Sequence, residues 1–201
     1  MKLYYAPGTC ALASHILARE AGLPLDLVKV DLATHQTEAG DDYTAINSKG
    51  YVPALRLDDG ELLTESAVLL QYLGDLAPAA GLVPPAGTMA RYRLQEWLCF
   101  ISTELHKTYG PLWNPTIPEA IKDGARGRLA NRFTWLDARL ADRPYLMGET
   151  FTAADCYAFV VLAWADYHKL DMTPYANLAA YQVRIGARPA VQQALREEGL
   201  V

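Results

Sequence analysis

"KLYYAPGTCALASHILAREAGLP", residues Lys2 to Pro24, holds a strand, a turn and a helix in one uninterrupted run. Lys2 to Ala6 is short and aromatic and stops at Pro7-Gly8, a turn dipeptide, so it reads as a strand. Thr9 then offers an N-cap. The helix it opens is expected to run to Gly22, with Pro24 just beyond to prevent continuation. Cys10 falls at the head of that helix, where the positive end of the helix dipole favours a thiolate. A cysteine near a turn is also a common small core residue, so the position alone leaves two readings open.

Downstream, "LDLVKVDL" (Leu25 to Leu32) alternates with period two and reads as a second strand, and the polar stretch Thr34 to Ile46 as partly helical. A strand, helix, strand unit of this length gives a parallel pair. After Val52-Pro53, "ALRL" and "ELLT" flank Asp58-Asp59-Gly60, an Asp-Gly turn that predicts an antiparallel hairpin. Thr64, Glu65 and Ser66 then supply capping side chains to a helix with apolar residues at Val68, Leu69, Tyr72, Leu73 and Leu76. The order is β-α-β-α-β-β-α.

Between Ala77 and Thr88 the chain carries three prolines and two glycines, the composition of a linker. Beyond it, Met89 to Tyr109, Pro118 to Leu140, Thr152 to Leu170, Leu178 to Gly186 and Ala190 to Glu198 all show helical spacing or helix-favouring composition. The expected class is α/β plus all-α: residues 1–80 form one domain, 81–87 a linker and 88–201 an α-helical bundle.

The 201 residues include 18 Lys and Arg against 23 Asp and Glu, for a net charge of -5, and the basic residues are scattered. That distribution argues against a nucleic-acid partner. The longest apolar run, Tyr157 to Ala165, falls far short of the roughly 20 residues a membrane-spanning helix needs. Pro7-Gly8 interrupts the first apolar stretch before an export signal could form, so a cytoplasmic protein is expected. Cys10, Cys99 and Cys156 are widely spaced, with no C-x-x-C pair and no metal-ligand spacing to any histidine, which predicts neither a disulfide framework nor a metal site.

Five motifs, in order, carry a resemblance over nearly the whole chain: "YYAPGTC" (Tyr4 to Cys10), "GYVPAL" (Gly50 to Leu55), "LTESAVLLQYL" (Leu63 to Leu73), "ELHKTYGPLWNP" (Glu104 to Pro115) and "FTAADCYAFVVLAWA" (Phe151 to Ala165). Together they resemble the beta class of glutathione S-transferases, a thioredoxin-like domain followed by an all-α domain. The resemblance implies a homodimer that uses glutathione as co-substrate and joins its thiol to small hydrophobic electrophiles, halogenated aromatics included. A monothiol oxidoreductase working through Cys10, as a reductive dehalogenase or peroxidase, is the alternative; Ala13 stands where a dithiol cycle would need its second cysteine. A carrier of apolar ligands without turnover is a further reading.

Glutathione is an anionic tripeptide with a central thiol, so its site needs anion holders at both ends and strand-like pairing in the middle. By resemblance the Val52-Pro53 bond is cis and offers the Val52 backbone to the cysteinyl residue. Glu65 and Ser66, besides capping a helix, would hold the γ-glutamyl end, with Ser66 donating and Glu65 accepting from the ammonium. The resemblance places His106 near the sulfur, with Lys107 adding positive potential, as Cys10 and His106 carry the chemistry. On an unbroken helix His106 shares a polar stripe with Cys99 and Thr103, opposite the apolar stripe of Leu94, Trp97, Leu98, Ile101 and Leu105.

Thr103, Glu104 and position 99 would reach glutathione from the neighbouring subunit. Cys99 replaces the amide expected there, and His35 replaces a lysine that meets the glycyl carboxylate; thiol and neutral imidazole both hold their partners less firmly. Tyr5, Tyr109, Trp113, Tyr157, Trp164 and Tyr167 are the candidates for an aromatic electrophile pocket, Trp164 foremost by the resemblance. Thr152 and Asp155 form a capping box with a structural role, and Cys156 reads as core.

Overall fold

The sheet is organised around β1 (Lys2–Tyr5), whose aromatic residues pair on one side in parallel with β2 (Asp26–Asp31) and on the other antiparallel with β4 (Ala54–Arg56). This computed structural model describes residues 1–201. β4 continues antiparallel into β5 (Leu62–Thr64) across the Asp-Gly turn, with Leu55 opposite Leu63. Gly60 sits at φ 93 in that turn, where a side chain would be strained.

The stretch expected to be partly helical divides. Gln36–Thr37 forms a short strand, β3, antiparallel to β2, and only Tyr43–Ile46 is helical (α2), capped by the Asp42 carboxylate accepting from the Thr44 N–H at 2.8 Å. A two-residue strand is too short for alternation to reveal. The five strands run in the order β3-β2-β1-β4-β5.

Helix α1 (Ala11–Glu20) starts one residue later than expected, because Cys10 is its N-cap and Thr9 turns back to donate its hydroxyl to the Ala6 carbonyl at 2.7 Å. Every residue from Ala11 to Ala18 is buried. Small side chains at Ala11, Ala13 and Ala18 let α1 pack closely against α3 (Ser66–Leu76), α7 (Ala153–Tyr167) and α9 (Pro189–Glu197). Core packing is therefore continuous from the sheet into the helical half.

The segment read as a linker is fastened down. Leu82 and Val83 are buried, the Leu82 carbonyl accepts from the Ala153 N–H at 2.9 Å, and Val83 occupies the space that a Gly74 side chain would need. Arg91, in α4 (Met89–Phe100), reaches back to the Pro84 carbonyl and to Asp75.

One helix was expected from Met89 to Tyr109, but three segments are present. After α4 comes a π-helical turn, Ile101–Leu105, then a 3-10 turn, His106–Tyr109, then α5 (Gly110–Trp113). A π turn advances fewer degrees per residue, so the residues beyond it lag behind the α-helical phase. His106 is rotated toward the apolar side and is not on the outward polar stripe. The bundle is completed by α6 (Glu119–Arg139) and α8 (Ala176–Gly186).

The start of α7 is anchored by Asp155, whose carboxylate accepts from the Thr152 N–H at 2.8 Å, the Leu146 N–H at 2.9 Å and the Tyr181 hydroxyl at 2.9 Å. Burial raises the Asp155 pKa, and those donors oppose the rise. Cys156 beside it is fully buried.

Candidate active site

Cys10 caps α1 with its sulfur 3.5 Å from the Val52 carbonyl oxygen, to which the thiol donates, and Val52-Pro53 is a cis peptide bond. Burial pushes the Cys10 thiol from 9.0 up to about 11, against the opposing effect of the Ser66 hydroxyl, a difference worth roughly 3 kcal/mol. A helix dipole at an ordinary terminus contributes about 1 kcal/mol or less. Desolvation wins, so in the free protein Cys10 is a thiol at neutral pH, which corrects the expectation of a thiolate.

Glu65 sits at φ 71, a strained backbone position for a residue with a side chain. Its carboxylate makes no cap bond to α3 and turns instead to the Lys49 ammonium at 2.7 Å and the Tyr51 hydroxyl at 2.6 Å. Those two hydrogen bonds hold its pKa below the usual carboxylate range. Left without a side-chain cap, the first turn of α3 faces a cavity through Ser66 and Ala67, an arrangement suited to an anion.

The π turn brings His106 to the same place. Its Nδ1 lies 2.6 Å from the Tyr157 hydroxyl, and its ring meets Trp164 edge-on at 4.8 Å between centroids. Burial, aided by the Lys107 charge, lowers its pKa to about 4, so the imidazole is neutral at physiological pH.

Two cavities meet at Cys10, Tyr51, Val52 and His106. The smaller, about 310 Å³, is bounded further by Glu65, Ser66, Ser102, Lys107 and Tyr157. The larger, about 780 Å³, has no Asp, Glu, Lys or Arg in its wall, which includes Trp113, Trp164, Tyr167, Phe159 and Leu200. The turn that delivers Cys10 is held from both sides: the Trp164 indole N–H donates to the Gly8 carbonyl at 2.9 Å, and the Gly8 N–H donates to Glu198 at 3.0 Å. Behind it, the buried His15 ring lies 2.6 Å from Glu197 and 3.1 Å from Glu198.

Residues 8–76 match the family model for the glutathione S-transferase N-terminal domain, and residues 119–181 that for its C-terminal domain. The chain is 47% identical to the glutathione S-transferase GstA of Escherichia coli O157:H7, with all of both chains covered. The chain belongs to the glutathione S-transferase family. A sphingomonad glutathione S-transferase solved with glutathione is 45% identical with a TM-score of 0.97, and a beta-class Sphingomonas chungbukensis glutathione S-transferase is 46% identical with a TM-score of 0.97, each covering 100% of both chains. This glutathione S-transferase is of the beta class, with a thioredoxin-like sheet followed by helices and glutathione as its co-substrate.

In this glutathione S-transferase, Cys10, Val52, Pro53, Glu65, Ser66, His106 and Lys107 gather around the smaller cavity. Trp113, Trp164 and Tyr167 line the larger one. Tyr5, Tyr109 and Tyr157 depart from their expected place. Tyr5 ends the central strand inside the core; Tyr109 is fully buried behind Trp164 and His168; Tyr157 faces the smaller cavity, where its hydroxyl meets His106.

His35 lines neither cavity: it stands at φ 54 with its ring against Gly50 and a buried, unpartnered Nδ1. Cys99 and Thr103 lie on the outer face of the bundle, the Thr103 hydroxyl donating to the Cys99 carbonyl at 3.0 Å, and Glu104 accepts from Arg132 Nε at 2.9 Å. Sequence reasoning missed Lys49, Tyr51 and Ser102. Tyr51 directly precedes the cis Val52-Pro53 bond, which was the one signal in the sequence; Lys49 and Ser102 carried none.

Proposed function

We propose that this transferase joins the glutathione thiol to small, uncharged hydrophobic electrophiles, halogenated aromatics among them. The observation that carries the reading is the wall of the larger cavity, apolar and free of charged side chains, opening beside Cys10 and His106 onto a smaller polar cavity. Glutathione would lie in the smaller cavity with its γ-glutamyl group at Glu65 and Ser66 and its cysteinyl backbone along Val52. Its sulfur would then reach the junction. The sulfur attacks the electrophilic carbon, a carbon–sulfur bond forms, and halide leaves with its electron pair; the thiol proton passes to solvent, since neutral His106 is too weak a base to keep it.

Residues 1–80 would act as the glutathione-binding domain and 88–201 as the helical domain that completes the electrophile wall. A homodimer would bring Cys99, Thr103 and Glu104 to the neighbouring subunit's glutathione, and the exposed apolar side chains of Val68, Leu76, Met89 and Tyr92 on α3 and α4 support a covered surface there. Three unpaired cysteines agree with a reducing, cytoplasmic setting. Thiol–disulfide exchange through Cys10 ranks second, because its sulfur stands at the junction but is held as a thiol. The test is an electrophile panel: turnover of neutral halogenated aromatics well above that of their carboxylated analogues is expected, and equal rates would refute the assignment of the larger cavity.

A further inference from the structure

His106 shows one ring nitrogen to the protein and the other to the site. Nδ1 meets the Tyr157 hydroxyl at 2.6 Å; Nε2 has no partner in the chain, is not among the buried unpartnered atoms, and belongs to a ring that lines both cavities. Tyr157 is itself buried in α7, and its hydroxyl meets His106 at hydrogen-bond distance.

The length of this hydrogen bond identifies its donor. At 2.6 Å it is shorter than the roughly 2.7–3.2 Å of an N–H···O bond and fits an O–H donor. If the phenol donates, Nδ1 accepts, both groups are satisfied, and the neutral ring must carry its own proton on Nε2. Burial raises the Tyr157 pKa, so the phenol keeps its proton, and the Ser102 and Ser66 hydroxyls offset part of that rise as donors to its oxygen. Trp164, edge-on to the imidazole, and Tyr157, with its ring at 88° to it, limit ring rotation.

We infer that Tyr157 is a positioning residue that fixes His106 in the Nε2-protonated tautomer, so that a neutral N–H donor is presented at the junction to the sulfur of glutathione. The inference rests on the proposed placement of that sulfur beside His106. The imidazole then stabilises the thiolate as a donor: the S–H bond breaks, the sulfur keeps the electron pair, the proton goes to water, and Nε2–H bonds the anion. This role needs no charge on the ring.

The test uses the full-length protein with nitrogen-15 histidine. Long-range proton–nitrogen spectra at neutral pH are expected to show His106 protonated on Nε2 in the wild type and shifted toward Nδ1 protonation in Tyr157→Phe. In that variant the thiol pKa of bound glutathione, followed by thiolate absorbance, should rise by about one unit. Turnover should fall about tenfold while the KM for glutathione changes less than about twofold. An Nδ1-protonated His106 in the wild type overturns the inference without need of any variant. His106→Gln, whose amide can occupy the Nε2 position, should preserve much of the thiolate, and adding Tyr157→Phe to it should change little. An undiminished loss in that double variant would make the tyrosine merely structural. If no His106 substitution alters the thiol titration, it is the placement of the sulfur that fails, whatever tautomer the spectra show.

Discussion

The Cys10 sulfur donates to the Val52 carbonyl oxygen at 3.5 Å, tying the head of α1 to the residue before the cis proline. Burial, with a smaller push from the Glu65 charge, raises the Cys10 pKa to about 11 against the opposing Ser66 hydroxyl and the Cys10 and Ala11 backbone N–H groups. Alkylation of the free enzyme by iodoacetamide should therefore be about a hundredfold slower at neutral pH than that of an ordinary exposed thiol. The rate should climb with pH toward about 11. A plateau already reached near neutrality, followed by peptide mass mapping to Cys10, would show a thiolate instead.

Replacing the same residue separates two chemistries. Cys10→Ala removes the protein's sulfur from the junction but leaves Glu65, Ser66 and His106 in place. Conjugation should persist within about tenfold of the wild-type kcat/KM, while thiol–disulfide exchange falls to background. Assay of both activities on one preparation decides; equal loss of both would mean that Cys10 takes part in conjugation.

Much of this arrangement was legible in local sequence. The Asp58-Asp59-Gly60 hairpin, the helix after Ser66 and the strand-turn-helix around Cys10 depend on neighbours along the chain, and their signals lie within a few residues. The π turn at Ile101–Leu105 was not, because apolar residues at Leu98, Ile101 and Leu105 keep α-helical spacing across it. Only the packing against α6 and α7 distinguishes the two geometries, and it decides where His106 points. Tyr157 likewise read as a wall of the electrophile pocket until that turn supplied its partner. The thiol state of Cys10 was misjudged because burial is a property of the whole fold, whereas the helix terminus is local.

The strained Glu65 carries its carboxylate toward Lys49 and Tyr51, and both would compete with an incoming ammonium. Glu65→Gln should raise the KM for glutathione about tenfold with a smaller change in kcat, the pattern of lost ground-state binding. The pH profile adds a second reading. Because its partners hold the Glu65 pKa down, the wild-type KM should stay flat as pH falls through the ordinary carboxylate range. In Lys49→Met the KM should rise in that range, as the carboxyl recovers a more usual pKa and loses its charge. Initial rates over varied glutathione at several pH values measure both.

Acid should loosen the turn that carries Cys10 from the far side. Glu197 accepts from Arg19 at 2.7 Å and lies 2.6 Å from His15, and Glu198 holds the Gly8 N–H at 3.0 Å, so α9 is clasped to α1 and to the Pro7-Gly8 turn together. Burial alone would raise the Glu197 pKa, but donors at Gln193, Arg19 and His15 outweigh it and bring the group down from 4.5 to about 2. A carboxylate depressed in the folded state contributes its stability fully above its unfolded pKa and loses it as pH falls through the folded one. The clasp is therefore complete above about 4.5 and gone near about 2. Since the Glu197 side chain is 31% exposed, solvent screening reduces the expected contribution to about 1 kcal/mol. Urea unfolding of wild type and Glu197→Gln should differ by that amount near neutrality and converge as pH approaches the folded value. A gap that persists unchanged to the lowest pH would show that the glutamate acts through packing, with no contribution from its charge.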